Sequence, residues 1–153
     1  MTRLNRRHSP VIAALLAAWG LTAGGGKEYP WKDGNKFEIH RVNGVERTCE
    51  AGSRITLEVF GRSVSTNVEP EPKSGFHVQA SIDHEEDTKS RAGANGEWNE
   101  ELNGWVVELV APEKSRNHYR LQVFLYCADD TSECARTYGR AAQAVETFHF
   151  DVP

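Results

Sequence analysis

Cys127 and Cys134, separated by a run that includes the turn formers Ala128-Asp129-Asp130-Thr131-Ser132, are close enough in the chain to close a short disulfide loop. Such a pair supports two chemistries. One is a structural staple, worth roughly 2 to 3 kcal/mol from the restricted unfolded chain. The other is thiol-disulfide exchange, which needs an exposed, strained or thiolate-stabilised sulfur. Asp129, Asp130 and Glu133 crowd the sulfurs with negative charge and disfavour an attacking thiolate, so the surroundings favour the staple. Cys49 is then the odd thiol.

The remaining polar residues offer less. His40 and His149 fall on the outward side of the expected first and last strands, which are often neighbours in a sandwich. Two imidazoles with no carboxylate or thiol at ligand spacing are an incomplete zinc or copper site, and exposed strand histidines are the better reading. His84-Glu85-Glu86-Asp87 gathers three carboxylates, but consecutive acids without alternating spacing or a turn glycine read as a solvated run rather than a calcium loop. No metal and no cofactor is expected. Ser63 and Ser65 lack the glycines of a nucleophile elbow. With 22 Asp and Glu residues, a hydrolytic pair of acids can always be drawn and means nothing without a cleft. Trp98 and Trp105 could stack on a sugar if both lay on one exposed sheet face, yet Trp105 alternates with Val107 and Leu109 and reads as core.

The elements that must position these residues are strands. In Tyr119–Cys127, Leu121, Val123 and Leu125 point one way and Gln122, Phe124 and Tyr126 the other; both sets are largely apolar, as in a central strand covered on both faces. Ser53–Gly61 is half-buried, with Ile55, Leu57 and Val59 inward. Phe76, Val78, Ala80 and Ile82 form another inward row, and Trp105–Ala111 is a further buried strand ended by Pro112. Phe37–His40 starts the set, with Asn43-Gly44 as a hairpin signal. Glu97–Leu102 reads as a short edge strand. Val145–Val152 closes the set, with Glu146 outward and Phe148, Phe150 and Val152 inward. His84–Asn95 is too polar to bury anything and reads as an exposed loop, and residues 136–144 as a loop or single helical turn. About seven strands with no helical period between them predict an all-β, antiparallel sandwich.

The run Glu108–Val123, ELVAPEKSRNHYRLQV, resembles the turn between the fifth and sixth strands of immunoglobulin-like and fibronectin-type domains. The resemblance implies an immunoglobulin-like sandwich in which the Tyr119 hydroxyl bonds to backbone a few residues upstream. It also implies that Cys49 and Cys127 lie at opposite ends of the domain, too far apart to bridge. Tyr126-Cys127-Ala128-Asp129 with Cys134 is similar to the late hairpin in the periplasmic N-terminal domain of the thiol-disulfide interchange protein family, where the cysteine pair passes electrons to other proteins. This chain has one residue more between its cysteines and lacks the Tyr-Pro that follows in that family.

Arg3, Arg6 and Arg7, then the apolar run Val11–Leu21, then Thr22-Ala23-Gly24-Gly25-Gly26 have the layout of a cleaved signal peptide over residues 1–26. The apolar run is shorter than the roughly 20 residues that span a bilayer. Residues 27–35 read as an arm and 36–153 as the domain. A secreted or periplasmic location follows, which suits a disulfide. The net charge of −4 becomes more negative without the leader, so neither nucleic acid nor membrane insertion is expected. The reading is a non-catalytic binding module for another exported or cell-surface protein, or a glycan; thiol-disulfide exchange at Cys127 and Cys134 is the alternative. Recognition residues are expected in the polar loop, at His84, Glu85, Glu86, Asp87, Lys89 and Arg91, and in the cysteine hairpin, at Asp129 and Asp130.

Overall fold

Alternation of apolar and polar residues at period two commits most of this chain to strands buried on one face. The computed structural model describes residues 36–128 and 132–153. The expected leader and arm, and Asp129 and Asp130, lie outside the described residues. Among the described residues eight strands form: β1 (Phe37–Asn43), β2 (Arg54–Ser63), β3 (Phe76–His84), β4 (Asp87–Asn95), β5 (Glu97–Asn99), β6 (Gly104–Val110), β7 (Arg116–Cys127) and β8 (Ala144–Val152). Helix α1 (Glu133–Tyr138) and a 3-10 turn at Pro72–Ser74 are the other elements among the described residues. The first sheet has the order β1-β2-β6-β5 and the second β4-β3-β7-β8. All strand pairs are antiparallel.

The inward rows of the two sheets make one core. Ile55, Leu57 and Val59 of β2 and Trp105, Val107 and Leu109 of β6 meet Val78, Ala80 and Ile82 of β3 and Leu121, Val123 and Leu125 of β7. Each fully buried Leu or Val contributes about 1.5 to 3 kcal/mol relative to exposure, so this interior fixes the register of all four central strands.

Three expectations change. His84–Asn95 is not a loop: Asp87–Asn95 is strand β4, paired with β3 from Gln79↔Asn95 to His84↔Asp87. Pairing uses the backbone, and an edge strand with Lys89 and Arg91 exposed can be polar without losing its ladder. That strand brings the count to eight. Glu146 does not face outward; it is 1 % exposed, opposite Val123. Once Phe148, Phe150 and Val152 face inward, period two carries Glu146 with them. The cysteine hairpin gives way to a helix: Cys134 lies in α1, which starts three residues before the expected helical turn, because Ser132 caps it by accepting from the Ala135 amide at 3.0 Å.

The chain does turn at Gly44 (φ +95°), where a Cβ would lie 2.1 Å from the Thr56 carbonyl oxygen. It does not hairpin directly into β2. Residues 47–49 first reach the far end of β8, with Cys49 N–H donating to the Asp151 carbonyl and Asp151 N–H to the Arg47 carbonyl, each at 2.9 Å. Cys49 therefore sits near the end of β8, while Cys127 ends β7 beside the start of β3, at the opposite end of that sheet. It is unpaired, as expected.

The Tyr119 hydroxyl donates to the Lys114 carbonyl at 2.7 Å. Its ring stacks on Phe150 with centroids 5.6 Å apart, and His84 meets it edge-on. Tyr119→Phe keeps the packing and strands one acceptor, so a loss of about 1 kcal/mol is expected in urea unfolding. A stability equal to that of the parent chain would show that the bond contributes nothing.

Candidate functional site

The outer face of the second sheet carries the most organised set of polar and aromatic side chains among the described residues. Strand register arranges it as rows running across β4, β3, β7 and β8. The first row holds His77 and Tyr126; the second holds Asn95, Gln79, Phe124 and Val145. The third holds Gly93, Ser81, Gln122 and Thr147. In the fourth, Arg91 and Arg120 flank Asp83, and His149 stands beside Arg120.

The first three rows are neutral, and hydrogen bonds join the first to the second. The His77 ring meets the Tyr126 ring edge-on at 5.0 Å, and His77 Nε2 donates to Asn95 Oδ1 at 3.2 Å. The Tyr126 hydroxyl donates to Gln79 Oε1 at 3.4 Å. Burial raises the Tyr126 pKa above its ordinary value, which keeps the phenol a neutral donor. Gln122 Nε2 reaches Thr147 Oγ1 at 3.5 Å, while Gln122 Oε1 is buried with no hydrogen-bond partner. Tyr126 and Phe124 are half-exposed, so β7 is not covered on both faces as its sequence suggests.

The fourth row is an ion cluster. Asp83 is 2 % exposed; Arg120 donates to it through Nε at 2.8 Å and Nη2 at 2.7 Å, and Arg91 Nη2 donates at 3.2 Å. Burial pushes the Asp83 carboxyl up, but the hydrogen bonds and charges of Arg120, then of Arg91, outweigh it and hold the pKa below the ordinary value.

The residues singled out from sequence are placed differently. His84 is buried: its Nδ1 accepts from the Glu86 amide, leaving Nε2–H to donate to the Asn117 carbonyl at 3.0 Å. Both ring nitrogens serve the backbone. Glu85 and Glu86 are exposed in the β3–β4 turn, Asp87 and Lys89 are in β4, and Arg91 is engaged with Asp83. Cys127 and Cys134 are bridged with Cα atoms 5.5 Å apart and are 7 % and 2 % exposed. Gly75 lies against Cys134, where a Cβ would approach the Cys134 Cβ to 2.9 Å.

His40 lies near the Phe60 ring on the outer side of the first sheet, and His149 is exposed on the outer side of the second. Among the described residues no group of three or more His, Cys, Asp or Glu side chains could hold a metal ion. Trp98 and Trp105 are cross-strand partners on the inner face, packed edge-on at 4.7 Å, and Trp105 is 2 % exposed, so they form no exposed platform. Burial, and then Glu46, raise the Cys49 pKa, so this half-buried thiol is a poor nucleophile.

Sequence reasoning separated Gln122, Phe124 and Tyr126 from the core face of β7. It missed His77, Gln79, Asn95, Asp83 and Arg120 as their neighbours, because only strand order brings them together. No helix among the described residues is long and apolar enough to cross a membrane. No protein-family model matches the sequence, and no curated protein matches it.

Proposed function

We propose that this chain is an exported, non-catalytic binding module on an immunoglobulin-like sandwich, recognising another exported or cell-surface protein or a glycan. The order β1-β2-β6-β5 against β4-β3-β7-β8 and the Tyr119 bond to Lys114 support the immunoglobulin-like reading. The cationic and apolar leader and the Cys127–Cys134 bridge support export. The observation that carries the binding reading is the outer face of the second sheet. There His77, Asn95, Gln79 and Tyr126 hold one another in place on rigid strands. A recognition surface needs side chains fixed before the ligand arrives, since each flexible one costs ordering entropy on binding.

Deleting residues 85–94 would remove most of β4, so the test uses point variants. The immobilised protein is offered a glycan array and the exported proteins of its source. A saturable ligand is expected, with capture falling about tenfold on Tyr126→Ala and holding on Thr56→Ala across the molecule. Capture indifferent to Tyr126, or chemical turnover of the captured ligand, would overturn the reading.

A further inference from the structure

We infer that His84 is a proton-operated latch on the β3–β4 turn: uptake of one proton by its ring releases Glu85 and Glu86 while the sandwich stays folded. The inference is independent of the binding reading. Strands β3 and β4 pair as far as His84↔Asp87, so Glu85 and Glu86 form a two-residue connection. Such connections favour Asn and Gly, whose positive φ matches the twist of the flanking strands. Here both residues are glutamates, and neither takes a positive φ. With Asp87 they make three consecutive carboxylates that repel one another. The local sequence argues against this turn, so something outside it must hold it shut.

The His84 ring does so. His84 is 7 % exposed, and its Nδ1 accepts from the Glu86 amide at 3.1 Å, closing the turn two residues on as an Asn or Asp side chain does elsewhere. The other nitrogen settles the tautomer. Nε2 faces the Asn117 carbonyl oxygen at 3.0 Å, and a carbonyl only accepts, so Nε2 carries the hydrogen and Nδ1 the lone pair. An added proton must therefore go to Nδ1. It turns the acceptor into a donor facing the Glu86 N–H, so the bond that closes the turn breaks while the bond to Asn117 stays. Glu85 and Glu86 are exposed, and once the turn opens either carboxylate can swing in to take the new donor.

The other groups around the ring leave that proton to the turn. β7 presents the Tyr119 ring edge-on at 5.3 Å, with its hydroxyl given to the Lys114 carbonyl, and the bulge at His118. β8 brings Asp151, whose carboxylate accepts from the His118 amide at 2.8 Å. β4 brings Asp87, paired with His84 itself. Within β3, the Asp83 carboxylate is held by Arg120 and Arg91. β6 approaches β3 and β4 from the first sheet, and its one charged residue, Glu108, is exposed.

Nuclear magnetic resonance of the full chain follows the His84 ring and the Glu86 amide together from about pH 7.5 to about pH 5.5, above the carboxylate range near about 4. As the ring takes up its proton, the hydrogen-exchange protection of the Glu86 amide, with the ordinary pH dependence of exchange divided out, is expected to fall about tenfold or more, as for one lost hydrogen bond. The Gly96 amide, bonded to the Val78 carbonyl at 2.8 Å in the body of the sheet, is expected to keep its protection. His84→Asn puts a carbonyl oxygen that does not titrate within reach of the same amide, so there the Glu86 protection should not vary with pH. If that variant fails to fold, the comparison of Glu86 with Gly96 in the parent chain decides alone. Glu86 protection unchanged across the ring titration, a ring still neutral at the acid end, an equal loss at Gly96, or the same fall in folded His84→Asn would overturn the inference.

Discussion

Arg120→Ala is expected to lower stability at pH 7 by about 3 kcal/mol, the low end of the range for removing one partner of a buried ion pair. The cost comes from what remains. Asp83 is 2 % exposed, and without Arg120 it keeps only the single, longer bond from Arg91, whose side chain is 43 % exposed. Arg91→Ala should cost about 1 kcal/mol, because the two short bonds from Arg120 stay in place. The pH dependence carries a sign. Asp83 is held below its ordinary pKa, so between that lowered value and the ordinary range near about 4 the unfolded chain binds more protons than the folded one. Its contribution is complete above the ordinary value and is lost as pH falls through the folded one. Removing both arginines leaves burial alone, which raises the carboxyl pKa and reverses the slope. Urea unfolding between pH 3 and 7 measures this. A loss below about 1 kcal/mol for Arg120→Ala, or a double variant whose acid slope matches the parent, would sink the account.

That ion cluster shows why only part of the molecule could be read from sequence. Period two within one strand is local, so the inward rows Ile55-Leu57-Val59, Phe76 to Ile82 and Leu121 to Leu125 were legible. Asp83 and Arg120 are 37 residues apart, and nothing local says that β3 lies beside β7 in that register. Polarity describes side chains while pairing belongs to the backbone, and β4 was hidden for that reason. Glu146 is a conflict within the sequence itself: its charge argues for the outside, while the alternation shared with Phe148 places it inside. The cysteine pairing could be read because the two residues are close in the chain, whereas α1 depends on a cap too short to leave a period. The candidate face combines both limits: β7 alone turns Gln122, Phe124 and Tyr126 away from the core, but His77, Gln79 and Asn95 join them only through strand order.

Replacing both bridged cysteines, Cys127→Ala with Cys134→Ala, should cost about 2.5 kcal/mol at 25 °C from lost restriction of the unfolded chain, given a sequence separation of 7. The bridge also anchors α1 over one end of the sandwich. There Tyr138 meets Phe37 edge-on at 4.9 Å and lies 6.0 Å from Phe76, while Cys134 and Ala135 enter the core. Urea unfolding of the double variant tests the magnitude, and hydrogen exchange should show the end built by Phe37 and Phe76 opening first. The same bridge decides between the binding module and thiol-disulfide exchange. An attacking thiolate needs a line to one sulfur, and residues that are 7 % and 2 % exposed offer little approach until the end opens. With Cys49→Ser to keep the titration clean, a reduction potential below about −300 mV is expected, as for a structural disulfide. A potential well above that, with rapid exchange against an exported partner protein, would make Cys127 and Cys134 the working part of the molecule and the second-sheet face incidental.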